Sequence, residues 1–369
     1  MLDLKPMDAV TALYAADQHD LAEAIVASLS RAIFRGQDTK PAGRGGVFIG
    51  RLSHKVLRWT TKAMSSVDGD AITLYRNPLF ERSGHPYARS LLASSRRETV
   101  ELVEGGDPMN GPYMMLSPEI RKNSGWWDRR FFESVQSKDV QLRFTLETQA
   151  TYIAARQALD RGESIRIKAV AAGTGLSLIL AYDKLIREGC DPHAITAVIT
   201  DRDPANIAKT NRLLAKLAST RNHHNVAGHA YGIFAMTEDV CAAPDPLVTP
   251  LHAPYNIVTA IGILEYFQGG SHGTTEQRLL LHEPAEPFTA PDLVAQLAAM
   301  TTHRGHLIMN TYRDHCCIRT LELFGKRFDF RDRKHLRDLL APLHFRPLHL
   351  AGSGHIYDVE VFEKFASGE

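Results

Sequence analysis

From about residue 140 onward, short apolar runs rich in branched side chains alternate with stretches whose apolar residues recur every three or four positions. The runs predict strands at 165–171, 195–200, 225–229, 255–261, 306–311, 345–351 and 356–365. The longer periodic stretches predict helices at 140–158, 176–188, 204–218, 290–302 and 334–343. Strands alternating with helices imply a parallel sheet covered by helices on both faces. Only a tight turn at 351–354 separates the last two strands, so they must pair antiparallel. The predicted class is α/β: a doubly wound, mostly parallel sheet with an antiparallel ending.

The chain before this point follows a different pattern. Within 7–35, Val10, Leu13, Tyr14, Leu21, Ile25 and Leu29 fall at helical spacing, giving one or two amphipathic helices. A loop is predicted over 37–46 and a further helix over 51–64. The stretch 65–125 is rich in Gly, Pro, Ser and Arg, with strand-like runs at 71–75 and 99–103. Tyr113, Trp126, Trp127 and Phe131 either pack this region onto the larger one or line an apolar pocket. The expected division is a mainly helical N-terminal cap and substrate region, 1–125, and a sheet domain, 126–369.

Composition narrows the classes. A chain of 369 residues with 44% apolar and 23% charged residues is of ordinary globular type, sized for about two domains. Lys and Arg number 43 against 42 Asp and Glu, and a formal charge of +1 argues against duplex nucleic acid as a partner. Four cysteines make no disulfide framework, and Cys316 and Cys317 are adjacent, so reduced thiols in a cytoplasmic protein are expected. The opening MLDLKPMDAV lacks a secretory pattern, and no apolar run approaches the roughly 18 residues of a membrane span. The 17 histidines include no HExxH spacing, so no metal site is expected.

The first predicted strand, IRIKAV, runs into AAGTGLS and then a helix. Gly173 and Gly175 open dihedrals closed to other residues and let a ligand approach the backbone. The second strand ends at Asp201 in TDRDP, where a carboxylate either accepts both hydroxyls of a ribose or is a solvated loop acid. Asp203 before Pro204 reads as a helix N-cap.

The ordered set AVAAGTGLS, TDRDPANI, YNIVTAIGILEYF, GHLIMNTYR and the ending GHIYDVEVFEKF resembles the class I S-adenosylmethionine-dependent methyltransferases over roughly 141–369. The resemblance implies a seven-stranded Rossmann-like sheet with the last strand inserted antiparallel, and S-adenosyl-L-methionine above the first two strands, with S-adenosyl-L-homocysteine as product. It places the methionine tail over Ala171, Ala172, Gly173, Thr174 and Gly175, the ribose on Asp201 and the adenine near Arg202. It matches Gly228, His229 and Ala230 to the end of the third strand, and Ile261 and Gly262 to the segment flanking the methyl donor. Two departures stand out: Ala169 and Ala171 replace an acid and the first loop glycine, and His229 replaces the acid that meets adenine. A nicotinamide-dependent oxidoreductase is the alternative on the same sheet, although Leu178 fills its third glycine position. A non-catalytic protein that binds the same cofactor is a third reading.

Methyl transfer from a sulfonium needs alignment and exclusion of water, and a base only where the acceptor holds its proton. The candidates are Glu265, Tyr266 and His315, with His272, Tyr312, Arg313 and Asp314 nearby in sequence; each also has a plain reading as a packing or surface residue. The Asn/Asp-Pro-Pro-aromatic run that marks amino-group methylation of nucleic acid is absent, with AIGILEYF in its place. A small or amphipathic acceptor is therefore expected, and a homodimer is compatible with the sequence.

Overall fold

A computed structural model of the chain describes residues 19–35, 133–221, 232–241, 254–267, 288–315 and 328–366, with scattered positions at 41–55 and 116. Two compact units emerge: one of 1–145, 313–327 and 354–357, the other of 146–312, 328–353 and 358–369.

The second unit holds one seven-stranded sheet. Its strands are β1 (Ile165–Ala169), β2 (Ile195–Asp201), β3 (Ile233–Thr237), β4 (Tyr255–Ala260), β5 (Thr301–Asn310), β6 (Phe345–Ser353) and β7 (Asp358–Lys364), in spatial order β3-β2-β1-β4-β5-β7-β6. The first five are parallel, and β7 lies antiparallel between β5 and β6. This is the layout the resemblance implies. The central strands are buried along most of their length, as covering on both faces requires. β6 at the edge is largely exposed and carries Pro347, which an edge strand tolerates.

The helices of this unit are α3 (Leu176–Arg187), α4 (Pro204–Arg221), α5 (Ala290–Met300) and α6 (Arg333–Leu340). Leu293, Val294 and Leu297 of α5 and Leu336 and Leu340 of α6 pack with Val258, Leu307, Met309 and Phe362 in one apolar cluster. Local signals fix their starts. Asp203 Oδ1 accepts the Ala205 amide before α4, and Thr289 forms a capping box with Asp292 before α5.

In the first unit, α1 (His19–Phe34) buries Val26, Leu29, Ala32 and Ile33 at three- and four-residue spacing. Arg44, Val47, Phe48, Arg51, Leu52 and Lys55 are helical, so winding begins inside the stretch expected as a loop. α2 (Val135–Asp160) starts in this unit and ends in the other. Its Asp139 accepts the Ile356 amide, and Arg313 donates to the Gly354 carbonyl. Burial raises the Asp139 carboxyl above its ordinary value, against the amides of Ile356, Tyr357 and His355 and the nearby His355 ring.

Three expectations change. The third strand is Ile233–Thr237, beside β2, and not 225–229, which lies outside the described residues. β5 begins at Thr301, five residues earlier than its apolar pattern suggests. The last turn lies at 354–357, because β6 continues through Ser353. The strands expected at 71–75 and 99–103, the aromatics at 113–132 and Cys316–Cys317 also fall outside the described residues. Among those described, no helix is long and apolar enough to cross a membrane, and no cluster of three metal-binding side chains occurs.

Candidate functional site

Strand order reverses between β1 and β4, and in such sheets the crevice beyond the carboxyl ends at this point takes the ligand. The bend after β1 borders it. Val170 donates to the Thr259 carbonyl and Ala172 to that of Thr200, so the strand stays tied to both neighbours as it ends. Ala171, Gly173 and Gly175 all have positive φ, at 49°, 58° and 61°. Gly175 precedes α3 directly, and a Cβ there would come within 2.5 Å of Ile199. Glycine is thus required at 175 by packing as well as dihedral, whereas Ala171 bears its strained φ with a side chain. Thr174 is buried, and its carbonyl accepts the Thr210 hydroxyl.

Asp201 ends β2 and is 8% exposed. Its Oδ2 accepts the Gly173 amide at 2.8 Å. Its Oδ1 accepts the Asp203 amide at 2.8 Å and lies 3.4 Å from Asn206 Nδ2. The acid and the glycine bend therefore form one connected unit. Arg202 beside it is exposed.

The corrected third strand changes which residues stand at its carboxyl end. His229 and Ala230 lie outside the described residues, and the chain leaving β3 is Thr237, Glu238 and Asp239. The Glu238 amide donates to the Asp201 carbonyl at 3.0 Å. Its carboxylate pairs with Lys168 of β1, the ammonium lying 2.8 Å from Oε1 and 2.7 Å from Oε2. Lys168 is 3% exposed, so this carboxylate offsets the cost of burying its charge. Burial and neighbouring Asp239 push the Cys241 thiol up to about 12, despite the charge of Arg202.

Beyond β4, Ile261 and Gly262 are half-buried. Gly262 has φ 77°, and its amide donates to Asn310 Oδ1. A single 3-10 turn, Leu264–Tyr266, follows. Arg331 braces it, donating from Nη1 to the Leu264 carbonyl at 2.9 Å and from Nη2 to that of Phe267 at 2.5 Å. Burial lowers the Arg331 pKa, opposed by the charges of Asp329 and Glu265. Glu265 is 4% exposed and thus no surface acid, while Tyr266 is 43% exposed with its ring edge-on to Phe328 at 5.5 Å. Phe328 also meets Tyr312, which stacks on Phe330.

His315 belongs to the first unit, with Arg313 and Asp314. Burial first, then the charges of His355, Arg51 and Arg313, lower its pKa below the ordinary histidine value, so the ring is neutral at pH 7. Its ring lies 6.0 Å from that of His355. His272 lies outside the described residues.

Lys168, Glu238 and Arg331 carry no motif of their own. Asn310 alone had a signal, as the polar residue closing an apolar strand before a loop.

No protein-family model and no curated protein sequence matches the chain. Solved structures do. A magnesium protoporphyrin IX methyltransferase from Synechocystis with bound S-adenosylhomocysteine matches at 12% identity and a TM-score of 0.37, over 61% of this chain and 87% of that one. The N-methyltransferase NodS from Bradyrhizobium japonicum, in complex with the same compound, matches at 13% and 0.36, over 59% and 87%. A possible exported protein from Bordetella parapertussis matches at 13% and 0.44, over 79% and 100%. The sheet itself decides the architecture, through its strand order and the antiparallel β7 between β5 and β6. The fold is that of the class I methyltransferases.

Proposed function

We propose that the chain is an S-adenosylmethionine-dependent methyltransferase acting on a small or amphipathic acceptor by in-line transfer. Asp201 carries this reading. It is a buried carboxylate at the carboxyl end of β2, bonded to the amide of the glycine bend beside the switch point. A carboxylate offers about four lone-pair sites, and the contacts from Gly173, Asp203 and Asn206 leave room for a ribose hydroxyl. Small, half-buried Ala171, Ala172 and Gly173 suit close passage of an amino-acid tail. These residues fit a nucleoside bearing such a tail.

When bound, the cofactor supplies a methyl group on a positively charged sulfur. The chain's part is alignment and exclusion of water. Asp201 and the bend hold the nucleoside, with Arg202, and with His229 and Ala230 as further candidates. Ile261 and Gly262 flank the donor, and Asn310 accepts the Gly262 amide. Tyr266 and Phe328 offer an aromatic wall to an apolar acceptor. Glu265, Tyr266 and His315 are the candidates to take a proton from an acceptor that holds one, and neutral His315 is competent to accept it. Residues 1–125 act as the cap that selects the acceptor. The protein works in the cytoplasm, and a homodimer is a compatible assembly.

Mass spectrometry of the purified protein tests the cofactor directly. Co-purified S-adenosylhomocysteine, or calorimetric binding of it in the micromolar range, supports the reading. A co-purified nicotinamide dinucleotide instead supports the oxidoreductase.

A further inference from the structure

The two most exposed large apolar side chains among the described residues sit one helical turn apart: Phe48, 67% exposed, and Leu52, 54% exposed. Both belong to the first unit, in a helical segment that opens where the Gly43 carbonyl accepts the Val47 amide at 3.1 Å. Arg44, Arg51 and Lys55 are helical and exposed as well. With Phe48 and Leu52 they fall at i, i+4, i+7, i+8 and i+11, the spacing of a single face about 100° wide. Val47, just outside that sector, is half-buried. The exposed face is thus apolar and cationic together. Its charge is not balanced by neighbours in sequence: residues 39–67 contain six Lys and Arg and no Asp or Glu, in a chain whose formal charge is only +1. Single exposed apolar side chains are ordinary, but an adjacent pair set among cations on one face is the pattern of a helix lying in a lipid–water interface. There the Lys and Arg stems reach back to the headgroups while the apolar side chains enter the acyl boundary. A second copy of the chain fits worse, because a two-fold contact would set Arg44, Arg51 and Lys55 against the same three residues. A nucleic acid fits worse too, since its phosphates gain nothing from Leu52.

We propose that this face docks on an anionic lipid surface, with Phe48 and Leu52 entering the headgroup layer and Arg44, Arg51 and Lys55 meeting lipid phosphates. The helix lies on the membrane and does not cross it; no described helix is long and apolar enough to cross. The assignment stands independently of the methyltransferase reading.

Co-sedimentation of the full chain with vesicles tests it, using phosphatidylcholine alone and phosphatidylcholine mixed equally with phosphatidylglycerol. Wild type should bind the mixed vesicles at least about tenfold more tightly than the neutral ones, and added salt should weaken that binding. Phe48→Ser with Leu52→Ser should lower affinity for the mixed vesicles by at least about tenfold. Arg44→Gln with Lys55→Gln should lower it on the order of twentyfold. Arg51 is left in place because its charge reaches His315. Should one of these variants fail to fold, the other decides. Wild type that stays in the supernatant with both vesicles overturns the proposal, as does equal binding to both or a folded variant of either kind that binds like wild type. A dimer in sedimentation equilibrium that Phe48→Ser with Leu52→Ser converts to monomer, without vesicle binding, overturns it in favour of a second copy of the chain.

Discussion

Gly262 donates its backbone amide to Asn310 Oδ1 at 2.7 Å, joining the turn after β4 to the last residue of β5. Asn310 is 2% exposed, and its Nδ2 donates in turn to the Thr311 carbonyl at 2.8 Å. One side chain thus spans two loop starts at the crevice. Asn310→Ala strands both backbone groups and should cost about 1–3 kcal/mol in denaturant unfolding. Asn310→Asp keeps the acceptor for Gly262 and should recover part of that loss. With Gly262 proposed to flank the methyl donor, S-adenosylhomocysteine affinity should fall with Asn310→Ala by more than the stability change at a remote site produces. Unchanged affinity in a folded Asn310→Ala protein would detach this bridge from the site.

The glycine bend gives a steric prediction. Gly175 has φ 61°, and an added Cβ would lie 2.5–2.7 Å from three side-chain carbons of Ile199. Gly175→Ala should therefore cost about 2–4 kcal/mol, combining a left-handed alanine with overpacking. Ile199→Ala removes those three carbons at its own cost of about 2–5 kcal/mol. The double variant should be more stable than the two losses summed, by about 1 kcal/mol or more. Strict additivity in a thermodynamic cycle would show that the dihedral alone forbids alanine.

These two sites show what the residue pattern reveals. The segment from β1 to α4 was legible because buried strands and amphipathic helices there differ in period, and because Gly173, Gly175 and Asp203 sit at their punctuation points. β3 was not. Its IFAMT run is short and half-buried at three of five positions, leaving no clear apolar stripe. The opening of β5 hid for the same reason: His303 and Arg304 are exposed, so its pattern starts late. Asp201 was legible as an acid closing an apolar strand. Arg331 was not, since it reaches its partners only through the tertiary fold, from a segment with no motif.

Asp201 provides the sharpest test of the cofactor reading. Asp201→Ala removes the acceptor for the Gly173 and Asp203 amides along with the proposed ribose contact. Loss of hydrogen bonds to a charged group should weaken S-adenosylhomocysteine binding by about 2–3 kcal/mol. Methylthioadenosine carries the same ribose, so it should weaken equally. Calorimetry showing undiminished binding in Asp201→Ala would remove this residue from the site.

His306 predicts how stability responds to acid. It lies within β5 opposite Glu363 of β7, and burial lowers its pKa below the ordinary value of 6.5. Glu363 and Glu163 favour the charged ring, while Arg161 and His349 oppose it, and burial outweighs them. The unfolded chain thus takes up a proton at this position more readily than the folded one. Stability held by the neutral ring is complete above about pH 6.5 and is lost as pH falls from there toward the lower folded pKa. Denaturant unfolding at pH 7.5 and at pH 5.5 should show a drop, part of which His315, with its pKa also lowered, supplies. His306→Gln, which does not titrate, should make that drop smaller whatever it does to absolute stability. An equal drop in the variant would show that protonation of His306 contributes nothing to the acid sensitivity of the fold.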